Sequence, residues 1–86
     1  MFEFDSDKSD SNKKKHGISF QEATLLWSDS NRVIIPTKYV DESRYLLIGM
    51  LADKVWSAVF TIREENIRII SVRRSRKNEE AIYFGK

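Results

Sequence analysis

Tyr45-Leu46-Leu47-Ile48-Gly49-Met50-Leu51, Val55-Trp56-Ser57-Ala58-Val59-Phe60-Thr61-Ile62 and Ile67-Arg68-Ile69-Ile70-Ser71-Val72 follow one another closely. Only Ala52-Asp53-Lys54 and, after Arg63, Glu64-Glu65-Asn66 separate them. Each run is rich in β-branched, aromatic and aliphatic residues, which suit a pleated surface. Connections this short join neighbouring antiparallel strands, so the three runs predict a meander. Asn66 is the residue of the second turn expected to take positive φ. Alternation along the first run sends Tyr45, Leu47 and Leu51 one way and Leu46, Ile48 and Met50 the other. Both faces are therefore partly apolar. One must carry helices; the C-terminal segment or a partner chain would cover the other.

Upstream, Val33-Ile34-Ile35 reads as a further strand, and Pro36 places it at an edge or ends it there. Residues 37–43 are polar and read as a loop. Ser19-Phe20-Gln21-Glu22 is a capping box that opens a helix. Phe20, Ala23, Thr24 and Trp27 recur at helical spacing, with Leu26 widening the stripe, up to a turn near Ser28–Asn31. Before it, Ser6 to Lys15 forms a polar surface helix. Asp5 or Ser6 caps it, acids precede Lys13-Lys14-Lys15, and Gly17 closes it with positive φ. Phe2-Glu3-Phe4 alternates as a short strand or an anchoring arm does. Downstream, Ser75 caps a short helix through about Tyr83. The order (β)–α–α–β–β–β–β–α is of the α+β class: an antiparallel sheet with two N-terminal helices packed on one face and a short C-terminal helix.

The 86 residues, 41% hydrophobic and 33% charged, suit one thin-cored globular domain. With no cysteine, disulfides, thiolate metal sites and cysteine nucleophiles are excluded. No segment approaches the roughly 18 apolar residues of a membrane span, and the acidic N-terminus does not read as a signal peptide. A cytoplasmic location is the expectation. The net charge is only +2, but Arg68, Arg73, Arg74, Arg76 and Lys77 fall between Ile67 and Lys77 with no acid among them. Lys13-Lys14-Lys15-His16 makes a second cluster. Such patches suit a polyanion, although basic runs are also common on ordinary solvated surfaces.

Phe4-Asp5, Lys8, Asn12, Lys15-His16-Gly17-Ile18 and Phe20-Gln21-Glu22-Ala23 together resemble the opening of the BrnT toxin family. Tyr45-Leu46-Leu47-Ile48-Gly49, Thr61-Ile62-Arg63 and Arg68-Ile69-Ile70-Ser71-Val72-Arg73-Arg74-Ser75 are similar to its later segments. Val72 and Ser75 stand where alanines are usual, and residues 31–41 are shorter than in many relatives. The resemblance spans Phe2 to about Tyr83. It implies one toxin domain over residues 1–86 with a RelE-like fold, and RNA cleavage that stops translation. It also implies neutralisation by a BrnA-like ribbon–helix–helix antitoxin, typically in a heterotetramer that represses its own operon. Neither metal nor cofactor is expected.

Metal-independent RNA cleavage needs a group to take the 2′ proton, charge to stabilise the phosphorane, and an acid for the leaving 5′ oxygen. Arginine suits the second task because its fork matches phosphate oxygens. Histidine or a carboxylate suits the proton transfers. The expected catalytic set is His16, Arg63, Arg68 and Arg73. Lys8, Lys15, Arg74 and Tyr83 are the expected substrate contacts. Each has a plainer alternative: His16 closing its helix, arginines paired with Glu22, Glu64, Glu65 or antitoxin acids, Tyr83 packing the last helix. Regular alternation sends Arg68 and Arg74 to one face and Arg73 to the other, so all could not serve one site unless the strand bulges or ends near Val72. Glu22 has its structural task in the capping box, and Lys8 and Asn12 share a helix face. Phe20 and Trp27 belong to the core; Trp56 is a core residue or a partner anchor. The rival class is a non-catalytic subunit that binds nucleic acid or antitoxin and acts as co-repressor.

Overall fold

The computed structural model describes residues 1–37 and 42–85. Residues 38–41, inside the expected 37–43 loop, lie outside that set. Five strands form one sheet: β1 (Phe2–Glu3), β2 (Val33–Thr37), β3 (Arg44–Leu51), β4 (Lys54–Arg63) and β5 (Asn66–Arg74). Their spatial order is β1-β5-β4-β3-β2. Strands β2 to β5 pair antiparallel as the meander requires. β1 pairs parallel with β5, so the sheet is mixed rather than antiparallel throughout. The difference follows from connectivity: almost the whole chain separates β1 from β5, so no hairpin dictates their direction.

Both meander turns are two-residue turns with positive φ at each centre, at Ala52 and Asp53 and at Glu64 and Glu65. Such turns match the right-handed twist of the strands they join. Asn66, expected to take that conformation, instead pairs with Arg63 inside the ladder. Register overrides the local preference of asparagine here. Pro36 sits opposite Tyr45 on the edge strand β2, where its missing N–H leaves no central ladder bond unmade.

Helix α1 (Ser6–His16) is capped by Asp5, which accepts from the Asp7 and Lys8 amides, and ends at Gly17 with φ 83°. Its buried residues are Ser9 and Asn12. Polar groups therefore attach it: Ser9 Oγ accepts from Phe20 N, and Asn12 Nδ2 donates to the carbonyls of Ile18 and Val72. The second bond satisfies β5 beyond the end of β1, as another strand would.

Helix α2 (Phe20–Ala23) carries the full capping box but is only one turn long, and a 3-10 segment (Thr24–Ser28) continues it. The tighter winding superposes i and i+3. Phe20, Ala23 and Leu26 are buried, while Leu25 is 57% exposed. Trp27 is half-buried between Phe2 and Phe60.

The sheet has two apolar faces. On one, Ile18, Phe20, Ala23 and Leu26 pack with Leu47, Trp56, Ala58, Phe60, Ile69 and Val72. On the other, Tyr83 of α3 (Lys77–Gly85) packs with Ile48 and Val55, flanked by Ile35, Leu46 and Met50. The C-terminal helix thus covers part of the second face. Asp29 fastens it there, accepting from Tyr83 Oη at 2.6 Å and from Met50 N at 2.8 Å.

Candidate functional site

The arginines are sorted by a break in β5. Val59 pairs with Ser71 and the next residue, Phe60, with Ile69, which leaves Ile70 as an extra residue. A bulge of this kind changes the parity of side chains on either side of it. Val72 and Ile69, three apart, both enter the core under the N-terminal helices. Regular alternation is therefore not followed. Arg68, opposite Thr61, and Arg73, opposite Ser57, share the α3 face, and Arg74 goes to the other side opposite Trp56. Arg63 also lies on the α3 face, opposite Asn66.

Arg63 and Arg68 are diagonal neighbours across two paired strands, with Cβ atoms roughly 7–8 Å apart. Arg44 joins them. It pairs with Thr61 on the other side of β4, so Arg44, Thr61 and Arg68 make one cross-strand row that ends at Glu3 on β1. Two strand spacings put Arg44 and Arg68 roughly 10 Å apart. This row lies past Leu46 and Ile48, on which α3 packs. Arg44 was missed from sequence because the strand was begun at Tyr45. Continuing the ladder by one residue would have paired it with Thr61.

The row has internal acids. Arg68 Nη1 is 3.6 Å from Glu3 Oε1, and Arg44 Nε donates to Glu42 Oε1 at 3.0 Å. Among the described residues, the Arg63 side chain makes no ion pair.

Arg73 lies four β4 positions from the Arg68 row, roughly 13 Å along the strand. It is clamped. Its Nη1 and Nη2 donate to Glu79 Oε1 and Oε2 at 2.7 and 2.9 Å. Glu79 Oε1 also accepts from Ser57 Oγ and from the Arg76 amide, and Ser57 Oγ lies 2.7 Å from Ser75 Oγ. The Arg73 fork, followed by these further donors, holds the Glu79 carboxyl at about 2 against the opposing effect of burial, and the same bonds raise Arg73. Among the described residues, these arginines pair with Glu3, Glu42 and Glu79, not with Glu22, Glu64 or Glu65. Glu22 instead binds Lys13 at 2.8 Å, and that contact, followed by the cap bonds, lowers its carboxyl to about 2.

The remaining candidates lie elsewhere. His16 ends α1, and the next residue, Gly17, lines a concavity with Trp56, Leu51 and Lys54 on the helix-bearing side. Arg74 lies on that side too, its guanidinium 5.6 Å from the centre of the Trp56 ring. His16 and Lys15, at the end of α1, and Arg74 thus belong to the helix-bearing side, apart from Arg63, Arg68 and Arg73. Lys8 is exposed on α1. Tyr83 is 6% exposed, and its bond to Asp29 pushes the phenol up to about 12. The structure puts it in the core rather than on a surface where a base can stack. Trp56 is likewise core, at 7% exposure.

The open face offers fixed positive charge and forked donors, which suit a phosphodiester. Among the described residues, no three His, Asp or Glu side chains group as metal ligands would, and no helix is long and apolar enough to cross a membrane.

Residues 4–79 match the family model described as ribonuclease toxin, BrnT, of type II toxin-antitoxin system. No curated protein matches the chain. The match takes in all five elements from α1 to β4, and β5 with its bulge, so the chain belongs to the BrnT family of ribonuclease toxins.

Proposed function

We propose that this BrnT toxin, as one domain in the cytoplasm, grips RNA by its phosphates on the face built from Arg44, Arg63 and Arg68, and cleaves it there without a metal, stopping translation. The ladder register carries the reading, because Arg44 and Arg68 both pair with Thr61, two residues from Arg63 on β4, so all three arginines share one side of the sheet. In the reaction the 2′ oxygen bonds to phosphorus and the bond from phosphorus to the 5′ oxygen breaks. The 2′ proton leaves to a base, and the 5′ oxygen takes a proton. Charge on the phosphorane develops between the arginine forks, whose positions are set before RNA arrives. His16 with Lys15 and Arg74 forms a second basic surface on the helix side, able to hold the strand as it leaves. Arg73 joins the open face only if Glu79 releases it. Lys8 adds charge on α1. The five-strand sheet with helices on its faces suits a RelE-like arrangement. The partner that restrains the toxin is a BrnA-like ribbon–helix–helix antitoxin, in a heterotetramer that binds operator DNA and represses the operon.

The test is cleavage of labelled RNA by Arg63→Ala/Arg68→Ala and by His16→Ala, each with its fold confirmed by circular dichroism. The double arginine variant is expected to lose cleavage by about a hundredfold or more. If it cleaves normally while His16→Ala is inactive, the site lies on the helix side and the reading is wrong. A second reading is favoured by the acids facing Arg68 and Arg73: a non-catalytic subunit that binds nucleic acid as co-repressor. RNA bound but left intact by the wild type would establish it.

A further inference from the structure

Past the 3-10 segment the sheet continues for one more row with no helix above it. Tyr45 and Phe60, stacked with ring centres 5.3 Å apart, form the floor of a groove there with Ile62 and Ile67. Trp27 is its wall, and Ile34 and Arg32 stand at the rim. The groove has a volume of about 300 Å³, room for two or three large side chains. Ile62 is 57% exposed and Ile34 45%, and both line this groove with the Tyr45–Phe60 floor between them. Isolated exposed aliphatics are ordinary, but a concave group on an aromatic floor marks a binding surface.

We propose that this groove is the docking site of the protein antitoxin and takes an amphipathic segment of it. Apolar side chains of that segment fill the groove, and one of its carboxylates meets Arg32. Two observations choose the occupant. The chain belongs to a family of type II toxins, so a protein partner must restrain it. Arg32 is the single charged residue of the lining. Its Nη1 donates to the Asp29 carbonyl at 3.2 Å, and no acid pairs with it among the described residues. An apolar surface with one cation at its rim is complementary to an apolar segment bearing one acid. The inference rests on the family membership and not on the arginine face. The groove and that face are opposite sides of β4 and β5, so the occupant and a phosphodiester contact different atoms.

Calorimetric titration of the purified toxin with the antitoxin encoded beside it tests this. Ile34→Lys/Ile62→Lys is expected to weaken binding by about a hundredfold, and Arg32→Glu by about tenfold. Leu25→Lys, equally exposed but outside the groove, is expected to bind as the wild type does. The groove variants keep their RNA cleavage and so stay toxic when the antitoxin is present. Should the double variant not fold, Arg32→Glu, at an exposed position, carries the test alone. Unchanged affinity in the groove variants overturns the proposal. So does a wild-type toxin that sediments as a dimer which the double variant converts to monomer, since the occupant is then a second copy. Cleavage is read separately, so failure of the arginine-face reading leaves a distinct signature.

Discussion

Glu79→Gln removes the charge from a buried carboxylate that accepts four hydrogen bonds, and leaves its shape. The Glu79 carboxylate is 8% exposed, 2.7 Å from Arg73, and its ordinary value of 4.5 falls to about 2. At 1.36 kcal/mol per tenfold, that fall corresponds to about 3 kcal/mol of stability at neutral pH. Because the folded value is depressed, the contribution is complete above about pH 5 and is lost as pH falls from 4.5 towards 2. About 2 kcal/mol of it should be gone by pH 3, by the same relation. Arg73 stays charged throughout and adds nothing to this dependence. Urea unfolding of wild type and Glu79→Gln between pH 3 and pH 7 is the assay. The expected gap is about 3 kcal/mol at pH 7, narrowing to about 1 kcal/mol at pH 3. A gap below about 1 kcal/mol at pH 7 with parallel curves would show that solvent compensates Glu79, and that the clamp contributes little.

Three further outcomes are expected. Asn12→Ala leaves the buried carbonyls of Ile18 and Val72 without their donor and should cost about 2–3 kcal/mol in urea unfolding. Gly17→Ala meets nothing within 4 Å, so its cost, about 1 kcal/mol from forcing alanine to φ 83°, should appear as a fall of roughly 4–8 °C in Tm. Glu3→Gln frees Arg68 of the acid 3.6 Å away and should tighten binding of single-stranded RNA several-fold at low salt, as read by fluorescence anisotropy.

The meander was legible because each strand is long, apolar and separated from the next by a short turn-forming stretch. The Ser19 capping box was equally legible, because its two hydrogen bonds depend on local spacing alone. What the sequence concealed depended on contacts distant in the chain. Phe2-Glu3 has no local reason to lie parallel to β5. The stripe Phe20, Ala23, Thr24 and Trp27 fits an α-helix as well as a 3-10 segment, and packing of Leu26 beneath the sheet chooses the second. Arg68 and Arg73 are five apart, an odd spacing that places them on opposite faces of a regular strand. Only the extra residue at Ile70, set by how β5 meets β4, puts them on one face. The match of Arg73 with Glu79 was hidden likewise, since it depends on where α3 docks.

Arg73 cannot bind Glu79 through both nitrogens and grip a phosphate with the same fork. If it belongs to the RNA face, RNA must displace Glu79. The clamp worth about 3 kcal/mol would then be exchanged for charge-assisted bonds of roughly 1.5–3 kcal/mol each, so the exchange is close to balanced. Salt dependence separates the two roles of Arg73 in a way that stability does not. Each phosphate neutralised on a single strand adds about 0.7 to the slope of log affinity against log salt. Under conditions where Glu79→Gln remains folded, a steeper slope than wild type by about that amount means that a freed Arg73 takes up a phosphate. An unchanged slope means that Arg73 fastens α3 to the sheet and that the RNA face ends at Arg44, Arg63 and Arg68.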